Sequence, residues 1–202
     1  MSTETTESET TFEELALAPE LLQAARDAGY THPTPIQAQA IPLVLKGRDV
    51  IGLAQTGTGK TAAFTLPIIQ RLLGGPHRLR ALVLTPTREL AAQVKENFAR
   101  YASRTDLDVV DIFGGVALGP QEQALRHGVD VVIATPGRLI DHLERQNLVF
   151  DDLEVLVLDE ADRMLDMGFA PQINRIVSEI PQYRQTLLFS ATMPAEVEAL
   201  AR

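Results

Sequence analysis

Apolar positions along the chain follow two alternating rhythms. Six short runs rich in β-branched and aliphatic residues, at 49–53, 81–85, 109–113, 131–134, 155–158 and 186–189, read as strands. The stretches between them mostly carry helical spacing, as in Ala91, Val94 and Phe98. Upstream, Pro19 opens a helix on which Leu21, Ala24, Ala25 and Ala28 share one face, and Gly29 closes it. A second helix is expected over 35–45, ending at Gly47. Residues 1–11 hold only Thr, Glu and Ser after Met1 and are expected to form a disordered acidic tail.

Strands that are apolar throughout are buried on both faces, which is how parallel strands read. The β-α-β-α succession predicts an α/β fold: an open, mostly parallel sheet flanked by helices on both faces. With no solenoid-period repeat and no second boundary, residues 12–202 read as a single domain. Ligands of such sheets sit at the carboxyl ends of the strands, so the chemistry is sought there.

Composition narrows the chemistry. The chain lacks cysteine, which excludes a disulfide scaffold, a cysteine zinc site, an iron–sulfur cluster and a thiol nucleophile. Its four histidines, His32, His77, His127 and His142, have no metal-ligand spacing. The net charge is -9, and about -6 remains without Glu4, Glu7 and Glu9 of the tail. Any nucleic-acid contact must therefore be local, through backbone amides and a few placed cations, rather than through a broad basic face. No apolar run is long enough to span a bilayer and the first residues carry no targeting pattern, so a soluble cytoplasmic protein is expected.

Two motifs stand out at strand ends. Ala54-Gln55-Thr56-Gly57-Thr58-Gly59-Lys60-Thr61 follows the first strand and precedes a helix, the context a phosphate-binding loop needs. Its glycines can turn backbone N–H groups toward a phosphate at a helix N-terminus. Lys60 would reach the β- and γ-phosphates, and Thr61 would place a hydroxyl on Mg²⁺. Ala54 stands where the general pattern has its first glycine. After the fifth strand, Asp159 and Glu160 place two adjacent carboxylates at a half-buried site, where they repel unless a cation offsets them. Asp159 would hold the metal through water and Glu160 would polarise an attacking water.

Asp159-Glu160-Ala161-Asp162 resembles the name motif of the DEAD-box ATP-dependent RNA helicases. The resemblance runs from Phe12 to the end of the chain. Gly29-Tyr30-Thr31-His32-Pro33-Thr34-Pro35-Ile36-Gln37 is similar to the family's Q motif, with Phe12 as its upstream aromatic. Pro86-Thr87-Arg88-Glu89-Leu90, Gly114-Gly115, Thr135-Pro136-Gly137-Arg138 and Ser190-Ala191-Thr192 match further family motifs in order.

The resemblance implies a RecA-like P-loop domain that uses ATP and Mg²⁺. It implies that Gln37 selects adenine, through an amide that can both donate and accept, and that Tyr30 and Phe12 form the base pocket. It implies that Pro86, Thr87, Arg88, Gly114, Gly115, Thr135, Pro136, Gly137 and Arg138 track the backbone of one RNA strand without reading its sequence. Ser190 and Thr192 would bond to the acidic motif, through Asp162, and couple ATP state to RNA binding. Met164, Leu165, Met167 and Phe169 read as core packing rather than a cofactor stripe. Relative to the family, the chain ends soon after Thr192, so a second RecA-like domain carrying the arginine fingers is expected to be absent and this half alone to be inactive in unwinding. Two rivals are a P-loop ATPase of another class, against which Gln37 and Thr135–Arg138 argue, and a non-catalytic adaptor, whose mark would be an altered Lys60 or Glu160.

Overall fold

The computed structural model describes residues 10–55, 57 and 59–201. Among these, six strands alternate with helices: β1 (Val50–Leu53), β2 (Ala81–Leu84), β3 (Val109–Ile112), β4 (Val131–Ala134), β5 (Val155–Leu158) and β6 (Gln185–Ser190). The helices are α1 (Pro19–Asp27), α2 (Pro35–Leu45), α3 (Lys60–Leu72), α4 (Arg88–Tyr101), α5 (Leu118–His127), α6 (Pro136–Glu144), α7 (Ala161–Asp166), α8 (Ala170–Ser178) and α9 (Ala195–Leu200). A short 3-10 turn, Phe12–Leu15, precedes them.

All strand pairs are parallel, in the order β1-β6-β5-β2-β4-β3. The pleat sends alternate residues of each strand into two cores. Val83, Ile133, Val157 and Phe189 pack against α1 to α4, through Leu21, Ile41, Phe64 and Phe98. Leu84, Val132, Leu158 and Leu188 pack against the later helices, through Leu125, Leu139, Met164 and Ile173. The chain runs outward from β1 through β2 to β3 along one face and returns along the other. That reversal opens a crevice above the carboxyl ends of the central strands.

The strand and helix placements agree with the pattern in the sequence, with one correction. The central strands β2, β4 and β5 are buried at every position. The two edge strands are not: β1 alternates, leaving Ile51 54% and Leu53 59% exposed, and β3 buries fully only Ile112. A run of apolar residues does not tell which strand ends up at an edge, because that depends on the order of pairing. On the covered face of β1, the ring of Phe189 lies 2.6 Å from where a Cβ at position 52 would sit, so only Gly52 fits.

The methionine stripe needs a second correction. Met164 is fully buried and Leu165 and Phe169 pack against the core, but Met167 is 49% exposed at the end of a helix of only six residues. The helix stops before it turns this side chain inward.

Candidate functional site

The sheet ladder runs past the strands into the residues that carry chemistry. Ala54 N–H donates to Ser190 C=O (3.0 Å), Asp159 N–H to Leu84 C=O (2.9 Å), Thr85 N–H to Ala134 C=O (3.0 Å) and Thr135 N–H to Ile112 C=O (2.9 Å). The backbone at each strand end is thus held as firmly as the strand itself, and the side chains beyond it share one rim of the sheet.

On this rim, Lys60 at the start of α3 faces Asp159. The ammonium lies 2.9 Å from Asp159 Oδ1, with the two side chains 9% and 2% exposed. The Lys60 ammonium is thus the counter-charge of a carboxylate that is almost wholly out of water. Burial pushes the Asp159 carboxyl above its ordinary value, and Lys60 opposes that rise. Glu160, next along, sits in the left-handed region at φ 52°, ψ 52°, and caps α7. Its conformation turns the chain sharply out of β5.

Gly57 and Gly59 also have positive φ, 86° and 79°. At Gly59 the need is double, because a Cβ there would lie 2.5 Å from Gln37 Nε2. That close approach is a hydrogen bond in use: Gln37 Nε2 donates to Gly59 C=O (3.0 Å), while Gln37 Oε1 accepts from Thr34 N–H (3.0 Å). Gln37 is fully buried, and the same Thr34–Gln37 pair forms the capping box of α2. Its amide therefore joins the loop before α3 to the start of α2. Thr56 and Thr58 lie outside the described residues; Gln55 is exposed and Thr61 half-buried beside Lys60.

Two cavities meet at Tyr30. One, of about 280 Å³, is lined by Phe12, Glu13, Arg26, Gly29, Tyr30 and Thr31. The rings of Phe12 and Tyr30 stand 6.2 Å apart, tilted by 54°. The other, of about 180 Å³, is bordered by Gly57, Gly59, Lys60, Thr61, Asp159 and Glu160, with Gln93 and Asn97 of α4 opposite. A larger cavity of about 440 Å³ lies between α1 and the end of α4, where Arg104 is already paired with Asp27. The smaller pair carries the chemistry: glycine-rich backbone, a buried cation and two carboxylates.

Behind Glu160, Asp162 gathers hydrogen bonds. Its Oδ2 accepts from the Thr192 hydroxyl (3.0 Å) and from Thr192 N–H (3.2 Å). Asp162 N–H donates to Ser190 Oγ (3.3 Å), and that hydroxyl donates to Thr192 C=O (2.6 Å). Burial pushes the Asp162 carboxyl up, but these bonds, Thr192 foremost, outweigh it and hold the carboxyl below its ordinary range.

A second surface follows the rim over β2, β4 and β3. Thr87 caps α4, its hydroxyl accepting from Leu90 N–H (3.2 Å), and exposed Arg88 lies over the Phe113 ring at 5.0 Å. Gly114, Gly115 and Gly137 are exposed, whereas Pro86 and Pro136 are buried beneath them. Thr135 caps α6 without using its hydroxyl for the cap. Arg138 points inward: its side chain is 12% exposed, and Nη1 donates to Val116 C=O (2.9 Å).

Residues 34–200 match the family model described as DEAD/DEAH box helicase. The chain belongs to this family. Among curated relatives it is 52% identical over 195 residues to the ATP-dependent RNA helicase DeaD of Mycobacterium tuberculosis, covering 96% of this chain and 35% of that protein. It is 48% identical over 189 residues to the DEAD-box ATP-dependent RNA helicase CshA of Streptococcus pneumoniae, covering 94% and 36%. A DEAD box protein crystal structure from the hyperthermophile Methanococcus jannaschii superposes with a TM-score of 0.90 at 41% identity, over 95% of this chain and 52% of that one. The chain thus spans about a third of the length of these curated relatives, and its sheet is the RecA-like sheet of the family.

Sequence reasoning missed several residues at these sites. Gln93 and Asn97 stand one helical turn apart on α4 and form the far wall of the cavity beside Lys60. Their polar i, i+4 spacing was visible, but which face of α4 meets the loop was not. Gln121, His142 and Asn147 are all buried beneath the second surface; Gln121 lies 21 residues from His142, and the three carried no motif. Among the described residues no group of three or more His, Cys, Asp or Glu could hold a metal by itself. No helix among them is long and apolar enough to cross a membrane.

Proposed function

We propose that this chain is the nucleotide-binding half of an ATP-dependent RNA helicase. The observation that carries the reading is the buried Lys60–Asp159 pair with Glu160 beside it, at the mouth of a glycine-rich loop that starts a helix. A P-loop lysine next to a strand-end carboxylate fits a site for a triphosphate. Phosphate oxygens would draw the Lys60 ammonium from Asp159, while the backbone around Gly57 and Gly59 and the start of α3 complete the cradle. Tyr30 and Phe12 offer aromatic walls for a base, and the Gln37 amide stands between base side and phosphate side through its bond to Gly59.

The donor set suits Mg²⁺. Asp159 Oδ1 is a buried hard oxygen held only by the Lys60 ammonium that phosphates would draw away, and Thr61 adds a hydroxyl; such a site relies on substrate phosphates for its other ligands. Bound there, Mg²⁺ would neutralise charge on the phosphates. Glu160 would orient and polarise the attacking water. Asp162, tied to Ser190 and Thr192, would pass a change at Glu160 to β6 and onward toward a second RecA-like domain. The exposed backbone at Gly114, Gly115, Thr135 and Gly137, with Thr87 and Arg88, would follow one RNA strand; contacts of this kind need little net positive charge, consistent with the acidic chain.

The experiment measures phosphate release from ATP·Mg with and without single-stranded RNA. The 202-residue chain should bind ATP yet turn over negligibly, because the arginine that stabilises the transferring phosphoryl, worth ~10³–10⁵ in rate, belongs to a second domain. Joining such a domain should restore RNA-stimulated turnover, and Glu160→Gln should then remove it while ATP still binds. Robust RNA-stimulated hydrolysis by the chain alone would overturn the two-domain reading.

A further inference from the structure

Beneath the second surface lies a polar network buried in otherwise apolar packing. Gln121 (α5), His142 (α6) and Asn147 are 7%, 0% and 6% exposed. Gln121 Nε2 donates to Phe113 C=O (3.1 Å). Gln121 Oε1 faces His142 Nε2 (2.9 Å) and accepts from Arg138 Nη1 (3.2 Å). The other imidazole nitrogen, Nδ1, faces Asn147 Nδ2 (3.0 Å), and Asn147 Oδ1 accepts from Arg126 Nη2 (3.4 Å).

The direction of every bond here follows from its two ends. The Phe113 carbonyl can only accept, so the amide nitrogen of Gln121 must face it. The Arg126 guanidinium can only donate, so the Asn147 oxygen must face it. Between them His142 has one allowed form: neutral, with its proton on Nε2 and a bare Nδ1. Burial and the nearby Arg138 guanidinium push the imidazole below its ordinary value, in keeping with that form.

Arg138 closes the arrangement. The same Nη1 that meets Gln121 also donates to Val116 C=O, and Nε lies 3.5 Å from Asp141 of its own helix. Residues 113 and 116 bracket Gly114 and Gly115, while Arg138 belongs to the first turn of α6. Both ends of the glycine turn are therefore fastened, one through Gln121 and one through Arg138, to the helix that begins at Thr135.

Building on the RNA reading above, we infer that Gln121 and Arg138 are positioning residues which lock the Gly114–Gly115 turn and the α6 N-terminus into one rigid phosphate-facing surface, and that Arg138 is a brace rather than a phosphate ligand. A rigid pair of backbone sites binds a strand without first having to be ordered. A guanidinium committed to two protein acceptors and an aspartate, and mostly covered, is poorly placed to neutralise a phosphate.

Two measurements test this. Amide NMR of the chain itself asks about the brace without RNA: Gln121→Met should shift or broaden Gly114, Gly115 and Val116 while the affinity for ATP stays within about two-fold, which also shows that the variant is folded. Fluorescence anisotropy with a single-stranded oligouridine and a non-hydrolysable ATP analogue, over a salt series, asks about role. Arg138→Gln should weaken RNA binding about ten-fold but leave the slope of log K against log salt unchanged, whereas Arg88→Gln should lower the slope by about 0.7, as expected for one lost phosphate contact on a single strand. Arg138→Lys should be nearly as weak as Arg138→Gln, because a lysine keeps the charge but not the planar fork that holds Val116 and Gln121 through Nη1 and Asp141 through Nε. A drop of about 0.7 in the slope for Arg138→Gln, or rescue by lysine, would make Arg138 a phosphate ligand and overturn the brace. Unmoved turn resonances in Gln121→Met would overturn it as well. A wild-type chain that binds no RNA at low salt would instead sink the RNA reading, with the resonance measurement still deciding whether the turn is braced.

Discussion

Replacing Lys60 with methionine removes the ammonium 2.9 Å from Asp159 Oδ1 and leaves a carboxylate that is 2% exposed without its counter-charge. Breaking one side of a buried pair costs about 3–5 kcal/mol. The carboxyl can limit that loss by taking up a proton. From its ordinary value of 3.8, protonation at pH 7 costs about 4 kcal/mol, and at pH 5 only about 2 kcal/mol. The sign follows: a carboxyl whose folded value is raised favours the protonated form in the folded state, so its stabilising contribution is complete at low pH and lost as pH rises through the folded value. The Lys60→Met deficit should therefore be largest near neutrality and shrink toward pH 5. At about 2–4 °C per kcal/mol for a chain of this size, the melting temperature should fall by roughly 6–20 °C at pH 7. The double variant Lys60→Met/Asp159→Asn should recover most of this, since replacing both members of a buried pair is often neutral. Thermal unfolding at several pH values measures all three. A single variant within about 1 kcal/mol of wild type at pH 7, or a deficit that grows as pH falls, would refute the argument.

Two further outcomes follow from the same geometry. Gln37→Ala should cost about 1–3 kcal/mol of stability, by stranding Gly59 C=O and Thr34 N–H, and should also erase most of any preference for ADP over GDP, read by calorimetry; equal affinity of the wild-type chain for the two nucleotides would remove the base-selection role. His142, held neutral by burial with Arg138 and Arg145 outweighing Glu122 and Asp141 nearby, contributes stability above its ordinary value of 6.5 that is lost as pH falls through its lowered folded value. Melting curves between about pH 8 and pH 5 should accordingly show a smaller acid-side loss for His142→Gln than for wild type, against the opposite trend from His77, which Asp130 and Asp106 raise.

Much of this was legible in the sequence because it is local. Strand runs, helix starts and glycine turns are written in consecutive residues, so the six strands and the loop before α3 could be placed directly. What was not legible depends on which strand neighbours which and on how helices rotate when they dock. The exposure of Ile51 and Leu53 needs β1 to be an edge, a consequence of the pairing order. Gln37 reads as a base-selecting amide, yet in the fold both its ends already have backbone partners, 3 and 22 residues away. Arg138 reads as an RNA-tracking cation beside a helix start, and only the placement of α5 against α6 turns it inward. Met167 fits an apolar stripe but falls past the point where α7 ends.

The left-handed backbone at Glu160 sets selection and foldability against each other. A non-glycine residue there carries a conformational cost of about 1–2 kcal/mol, which glycine would not bear. A population of variants sorted only for expression or heat resistance should drift toward glycine at this position. The drift would erase the one carboxylate proposed to polarise water while making the fold easier to keep. Screens for robustness of this domain would therefore enrich variants that lack the proposed water-polarising carboxylate, unless turnover of the domain joined to a second one is selected at the same time.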